Sequence, residues 1–337
     1  MTSVLIVILN WNGIDDTETC VASLLDQSYE NYEILIIDNG STDDSAQRLK
    51  ALKNNNEKIK IITNKENEGF AGGVNIGISY ALTSKFEYVA LFNNDATASR
   101  EWLNFLVLES EKKADSAITT GLLLHVDRNS IDTSGEIYSS WGISSPRARN
   151  KKASQAPESG YVFGATGGAV LYKTSLFKQI GLFDETFFAY YEDADISFRA
   201  QLAGHKVYYT NKAIAYHKQG ATSSKIPGFT VYQTFKNLPL LFWKNVPTKL
   251  LFKIGSRFTL MYALIFANAI KNGAGWPALK GIFASIWYFW TSALPKRFKI
   301  QRNKKVSTNY IWSILYHDLP PEQTGMRKFR KLFTGKD

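Results

Sequence analysis

The chain has 337 residues, 45% of them hydrophobic, enough for a substantial core in one large α/β domain with an appendage, or in two domains. Its single cysteine, Cys20, excludes an internal disulfide framework and fits a reducing compartment. The net charge of +10 is unevenly placed: from residue 236 onward 18 Lys and Arg stand against 3 Asp and Glu, so a slightly acidic body carries a strongly basic tail. That asymmetry suggests an anionic partner surface, membrane or nucleic acid.

Residues 4–9 (VLIVIL) read as a central strand covered on both faces. They are too short for a signal peptide and lack a basic region before them, so no leader is expected. Asn10-Trp11-Asn12-Gly13 breaks the strand, and residues 15–27 have helical spacing. A second strand, residues 32–37, ends in Asp38-Asn39-Gly40-Ser41-Thr42-Asp43. A helix follows at 45–52, a strand at 58–63, and a glycine-rich turn from Asn67 to Gly73 leading into a helix at 74–82. A fourth strand, 88–92, closes on Asn93-Asn94-Asp95. Strand and helix alternate at βαβ spacing through about residue 110, which predicts a doubly wound, mostly parallel sheet. In such sheets ligands sit beyond the carboxyl ends of the strands, so the polar clusters at 10–13, 38–43 and 93–95 belong to one crevice. Neither a G-x-G-x-x-G after the first strand nor a phosphate-loop motif occurs. The turn at 67–73 reads as a phosphate loop or simply as a tight turn before a helix.

Regularity dissolves between about residues 122 and 161, where the basic run at 147–152 is either a solvated loop or a flap. It resumes at Tyr161, and Gly164, Gly167 and Gly168 mark a close ligand approach or a strand bulge. The chemistry is expected in residues 181–204. There Glu192, Asp193 and Asp195 follow the aromatics Phe187, Phe188, Tyr190 and Tyr191 and open a helical pattern that Gly204 stops. Acidic residues suit a helix start, but one carboxylate is enough for a cap. Three together carry repulsion that a proton-abstracting or cation-binding site has reason to bear. A strand at 206–210 and the segment ending in His217 come next. His217 is either a satisfied histidine or a ligand beside Asn93 and Asp95.

The tail holds two uncharged apolar runs, 258–270 and 281–295, each shorter than the roughly 20 residues of a membrane span and flanked by Lys or Arg. The second carries Trp287, Tyr288, Phe289 and Trp290, types that favour the headgroup boundary, so the pair reads as interfacial helices or as a helical subdomain packed on the sheet. No nucleic-acid module is present, and no nucleic-acid partner is expected.

The ordered set Asn10-Trp11-Asn12-Gly13, Asp38 to Asp43, Asn67-x-Gly69-Phe70-Ala71-Gly72-Gly73, Asn93-Asn94-Asp95 and Gly181-x-Phe183-Asp184-Glu185 through Glu192-Asp193-x-Asp195 resembles the family 2 inverting glycosyltransferases of GT-A fold. Among these it is most similar to the rhamnosyltransferase-like branch of bacterial surface-polysaccharide synthesis. The resemblance implies a GT-A catalytic domain over residues 1–235, with a nucleotide-binding half to about 110 and an acceptor and catalytic half after it. A basic, amphipathic, membrane-associating helical extension over 236–337 completes the chain. It implies that Asp38, with Asn10, Asn12 and Asn39, binds the donor's base, and that Asn67, Gly72, Gly73, Asn93 and Asn94 shape the nucleotide side. Asp95, aided by His217, would hold Mg²⁺ or Mn²⁺; the departure is Asn93, which stands where the family has its first acid. Asp193 would be the base, oriented by Glu192 and Asp195, with Tyr190, Tyr191 and Trp141 as acceptor contacts. The implied partners are a nucleotide-sugar donor (dTDP-rhamnose, or alternatively a UDP-hexose or UDP-galactofuranose), a lipid-linked or growing glycan, and an anionic membrane at the cytoplasmic face. Oligomerisation stays open. A non-catalytic sugar-nucleotide or glycan-binding scaffold is the reading from another class.

Overall fold

Four apolar runs become the parallel centre of the sheet: β1 (Val4–Asn10), β2 (Tyr32–Asp38), β3 (Ile59–Thr63) and β4 (Tyr88–Asn93), in the order β3-β2-β1-β4. This is a computed structural model that describes residues 1–218 and 226–320. Alternation splits the strands between two apolar layers. Ile6, Ile8, Ile34 and Ile36 pack with α1 (Ile14–Leu25) on one face. Leu5, Val7, Leu35 and Ile37 pack with α3 (Gly69–Thr83) on the other. Each fully buried aliphatic side chain contributes roughly 1.5–3 kcal/mol, so these two layers fix the register of every strand end. Between β2 and β3 lies α2 (Ser45–Asn55).

After β4 come β5 (Ala96–Ala98), α4 (Trp102–Lys112), β6 (Ser116–His125), β7 (Ile131–Thr133) and the hairpin β8 (Glu136–Tyr138)–β9 (Ser144–Pro146). They are followed by β10 (Gly160–Val162), β11 (Ala169–Lys173), α5 (Thr174–Ile180), α6 (Glu192–Leu202) and β12 (Lys206–His217). The sheet extends from β4 through β11, β6 and β12 to β10, with β11 antiparallel to both neighbours. The two segments expected at 206–210 and 213–217 are one strand with a register shift between Tyr209 and Ile214. The acidic helix begins at Glu192, as its sequence implied.

The glycine-rich stretch differs from expectation. The helix begins at Gly69 rather than at residue 74, and Gly72 and Gly73 lie within it. A Cβ on Gly73 would stand 2.3 Å from the Leu9 side chain, and one on Gly77 2.5 Å from that of Val7. These glycines let α3 lie close on β1, which sets the height of the crevice floor.

The tail is helical: α7 (Phe229–Asn245), α8 (Thr248–Lys271), α9 (Gly275–Tyr288), a π-helical turn (Phe289–Ala293), α10 (Leu294–Arg302) and α11 (Thr308–Ile314). Residue 235, where the sequence places the end of the catalytic domain, falls inside α7, and residues 321–337 of the expected extension lie outside the described residues. Phe187, Phe198, Leu238, Leu241, Phe242 and Phe258 share one apolar cluster, so α6 and the first tail helices have a common core. The apolar run at 258–270 continues upstream into the 24-residue α8. That helix has an 18-residue window of mean hydropathy 1.5, only 22% buried, and by length and composition it is long enough to cross a membrane. On α9 the small residues Ala278, Gly281 and Ser285 face inward, and a Cβ on Gly281 would stand 2.5 Å from the Tyr232 carbonyl oxygen of α7. Trp276, Phe283, Trp287 and Trp290 form an exposed stripe on the other side.

Candidate active site

A crevice of about 940 Å³ opens over the carboxyl ends of β1, β2 and β4. Its lining includes Trp11, Asn39, Asn67, Asn93, Asn94, Asp95 and His217 on one side and Thr166, Tyr190, Tyr191, Glu192 and Asp193 on the other. Three strand-end clusters and the acidic helix, distant in sequence, therefore meet. A second cavity of about 660 Å³, lined by Thr2, Glu87, Glu111 and Lys178, sits at the opposite, amino ends of the strands, where parallel sheets do not place their chemistry.

On the nucleotide side, Asn10 and Asp38 are buried beneath the lining. The Asn10 amide donates to Asp38 Oδ1 (3.1 Å) and Ser41 Oγ (3.1 Å), tying the ends of β1 and β2 together. Asn12 has φ 50° and accepts from the Thr42 backbone N–H at 2.7 Å, which shapes the 41–43 loop. Asn39 donates to Asn67 Oδ1 (2.9 Å) and the Gly69 carbonyl (3.1 Å) and accepts from Asn64 and the Glu68 N–H. Asn94 donates to Thr17 Oγ1 at 3.0 Å. Asn39, Asn67, Asn93 and Asn94 thus reach the crevice wall, whereas Asn10, Asn12 and Asp38 brace it from behind. Gly72 and Gly73 do neither, being spent on helix packing.

On the cation side, pairing of His217 with Ala96 across β12 and β5 brings the imidazole to Asp95. His217 Nε2 lies 3.0 Å from Asp95 Oδ1 and 3.3 Å from the Asn93 amide, and Nδ1 lies 2.7 Å from Asp132 Oδ2. Burial disfavours the charged ring, but hydrogen bonds to Asp132 and then Asp95 outweigh it and push His217 up to about 9. The protonated ring therefore holds a place between two carboxylates that a divalent cation would compete for. When the ring gives up its proton, Asp95 and His217 present an oxygen and a nitrogen on one wall, a pair that suits Mn²⁺ better than the oxygen-preferring Mg²⁺ when phosphate oxygens complete the shell. Among the described residues no group of three or more acidic, His or Cys side chains is arranged to hold a metal by itself.

Opposite stand the acids of α6. Asp193 accepts from the Gly167 N–H (3.2 Å) and the Ala194 N–H (2.7 Å), with the Thr166 side chain as a further partner. Burial raises its pKa against those bonds. Glu192 is raised well above the carboxylate range, first by burial and then by the charge of Asp193, and its Oε2 is buried without a hydrogen bond among the described residues. Both adjacent carboxyls are thus pushed up, Glu192 the further, as two acids buried side by side should be. The preceding segment is strained: Phe188, Tyr190 and Tyr191 all have positive φ, between 62° and 71°. Asn237 of α7 holds it, its amide lying 2.9, 2.9 and 2.8 Å from the carbonyl oxygens of Phe187, Ala189 and Tyr190.

Two further expected site residues are elsewhere. Asp195 is fully buried and points away from the crevice, accepting from Arg199 Nε (2.8 Å), Lys244 Nζ (2.9 Å) and Asn245 Nδ2 (2.7 Å). A residue two positions along a helix is turned by about 200°, so Asp193 and Asp195 cannot serve one pocket. Trp141 packs against the third apolar cluster beside Arg257, on the tail side. Sequence reasoning also missed Asp132, Glu136 and Arg149, which come from the irregular stretch, and the α7 residues Lys236, Asn237, Lys244 and Asn245. Glu136 and Arg149 line the crevice, and Glu136 Oε2 accepts from Ser144 at 2.8 Å.

The sheet order, the antiparallel β11 and a crevice flanked by Asn93-Asn94-Asp95 and the acidic helix together define the GT-A fold of nucleotide-sugar transferases. Residues 3–181 match the family described as Glycosyl transferase family 2, and the chain belongs to it. That span ends before the acidic helix. The chain is 25% identical over 240 residues to the low-salt glycan biosynthesis hexosyltransferase Agl10 of Haloferax volcanii, covering 69% of this chain and 73% of that protein. It is 33% identical over 107 residues to an uncharacterized glycosyltransferase of Haemophilus influenzae, a match to about a third (32%) of that protein's length. In structure it is similar to the mannosyltransferase PcManGT of Pyrobaculum calidifontis, solved with GDP-Man and Mn²⁺ (TM-score 0.55, 13% identity, 92% of this chain and 82% of that one). It is also similar to GalNAc-T7, solved with UDP, GalNAc and Mn²⁺ (TM-score 0.54, 16% identity, 81% and 58%).

Proposed function

We propose that the protein is an inverting glycosyltransferase that moves a sugar, L-rhamnose from dTDP-rhamnose, onto a lipid-linked or growing surface glycan. The observation that carries the reading is the position of Asp193: a carboxylate fixed by two backbone N–H groups across one crevice from Asp95 and His217. In a single displacement the acceptor hydroxyl oxygen bonds to the anomeric carbon and its proton passes to Asp193. The bond from that carbon to the phosphate oxygen breaks, and its electron pair leaves on the nucleoside diphosphate. Asp95 and His217 would hold the cation, which when bound offsets charge on the departing diphosphate. Tyr190 and Tyr191 give the acceptor side flat surfaces, and Asn237 keeps that strained segment in place. Rhamnose rests on the resemblance of the motif series to the rhamnosyltransferase-like branch, and the glycan acceptor is favoured also by the glycan-related name of the Haloferax relative.

The test is turnover across dTDP- and UDP-sugars with and without Mn²⁺ or Mg²⁺. We expect cation-dependent release of dTDP from dTDP-rhamnose. Selective release of UDP would keep the class and change the donor. Binding without turnover for every donor and glycan acceptor would favour a scaffold, the reading that Asn93 in place of an acid supports.

The tail supports a peripheral site of action at an anionic membrane. The exposed stripe Trp276, Phe283, Trp287 and Trp290 is flanked by Lys271, Lys280 and Lys296, a pattern suited to lying in the headgroup region. Replacing the three tryptophans with serine should abolish partitioning onto phosphatidylserine vesicles without lowering the melting temperature, because the rings are already in solvent. Unchanged partitioning in sedimentation assays would remove the membrane from the reading.

A further inference from the structure

The basic run at 147–152 contributes one side chain to the crevice. Arg147 lies over the Tyr209 ring, 5.4 Å from its centroid, and Lys151 and Lys152 are exposed. Arg149 instead lines the crevice beside Asn93, Asp95 and His217. Its Nε donates to the Asp132 carbonyl (3.1 Å) and its Nη2 to Asp132 Oδ1 (2.7 Å). The other oxygen of Asp132 meets His217 Nδ1 at 2.7 Å, and His217 Nε2 meets Asp95 at 3.0 Å. Arg149, Asp132, His217 and Asp95 therefore form one hydrogen-bonded row. Asp132, 2% exposed, is the pivot.

A guanidinium has five N–H groups. Asp132 takes two, and Nη1 has no hydrogen-bond partner among the described residues. Its forked geometry and permanent charge suit bidentate contact with phosphate oxygens. With Asn93 in place of an acid, Asp95 is the one carboxylate of that motif left for a cation, so a fixed positive charge beside it has something to add.

We propose that Arg149 is a second binding group for the diphosphate of the donor and of the released nucleotide, and that Asp132 is a positioning residue that holds Arg149 and His217 facing the same phosphates. The inference rests on the function proposed above. A purely structural alternative is that Arg149 only pins its loop to Asp132.

Calorimetric titration with dTDP, UDP and the corresponding monophosphates, in EDTA and in Mn²⁺, separates these. Arg149→Ala should weaken diphosphate binding about tenfold or more in both media, as expected for loss of a charge-assisted contact, while monophosphate affinity changes little. Arg149→Lys should recover part of the loss. Asp132→Asn should weaken Mn²⁺ binding by roughly 10–100-fold, measured by titration of the metal with dTDP present, as for other groups that orient a metal-binding histidine. Equal losses for mono- and diphosphates in Arg149→Ala, or no loss, would overturn the assignment of Arg149. Unchanged Mn²⁺ affinity in Asp132→Asn would overturn its positioning role. Failure of the unsubstituted protein to bind any nucleoside diphosphate would overturn the functional reading itself, a result distinguishable from the other two.

Discussion

Asp193→Asn should lower sugar transfer by roughly 10²–10⁴-fold, the range for removal of a positioned general base, while leaving donor affinity and melting temperature nearly unchanged. The amide is isosteric and its oxygen can keep one of the two backbone N–H bonds, so the start of α6 should stay in place with the loss of a single hydrogen bond. What disappears is an oxygen able to take the acceptor's proton. Glu192 is a poor substitute despite being adjacent. Burial and then the charge of Asp193 raise its pKa well above the usual carboxylate range, and it holds no place among the backbone N–H groups that fix Asp193. Glu192→Gln keeps the side chain's shape and leaves Asp193 in place, and should cost far less than Asp193→Asn. The check is kcat with donor and acceptor both supplied, alongside titration of the donor. A parallel fall in donor affinity would make Asp193 a binding or folding residue. A larger loss in Glu192→Gln than in Asp193→Asn would move the base to Glu192.

The legible part of this protein is where local pattern and global position agree. Continuous apolar runs at residues 4–9 and 32–37 can only be satisfied in the middle of a covered sheet, and parallel strands place their carboxyl ends on one edge. Hence Asn10, Asp38 and Asn93, though tens of residues apart, were bound to converge. Asp95 and His217 were separable from ordinary surface residues only in combination, and the structure sets them 3.0 Å apart through the β5–β12 pairing. The failures have definite causes. Asp195 shares a motif with Asp193 but not a helix face. Gly73 looked like a loop glycine because its requirement, closeness to Leu9, is a tertiary contact invisible to composition. Asp132 and Arg149 lie in a stretch without periodicity, where no spacing indicates what a side chain will face. The α7 residues were hidden by distance: Asn237 acts on carbonyls at 187–190, and Lys244 on Asp184 and Asp195. Two lysines and two asparagines in a largely apolar helix were the available signal, since polar groups are buried there only when something pairs with them.

Lys244→Met should destabilise the fold by about 3–5 kcal/mol, the cost of removing one partner from a buried ionic cluster. Lys244 is 2% exposed, and its ammonium lies 2.5 Å from Asp184 Oδ2 and 2.8 Å from Asp195 Oδ1. Methionine keeps the apolar stem, so the loss is of charge rather than volume. Asp195 would retain Arg199 and Asn245, and Asp184 would retain Lys296 at 2.5 Å, which keeps the cost from rising further. The same cluster gives a pH signature. Although burial opposes ionisation of Asp184, Lys244 and then Lys296 hold its pKa well below the ordinary 3.8. A carboxylate depressed in the folded state contributes its stability in full above the unfolded value and loses it as pH falls through the folded one. The unsubstituted protein should thus keep this contribution down to about pH 4 and lose it in stronger acid. In Lys244→Met the depression relaxes and acid unfolding should begin at higher pH. The decisive comparison is Lys244→Met with Asp195→Asn in the same chain. If the penalty is an uncompensated buried charge, neutralising Asp195 should restore part of the lost stability, measured by denaturant unfolding. A double variant as unstable as the two single losses added together would mean that Lys244 acts through packing alone. Because Asp195 and Asp193 share the first turn of α6, Lys244→Met should also lower turnover, and partial recovery of stability should bring partial recovery of turnover, tying the tail helix α7 to the position of the base.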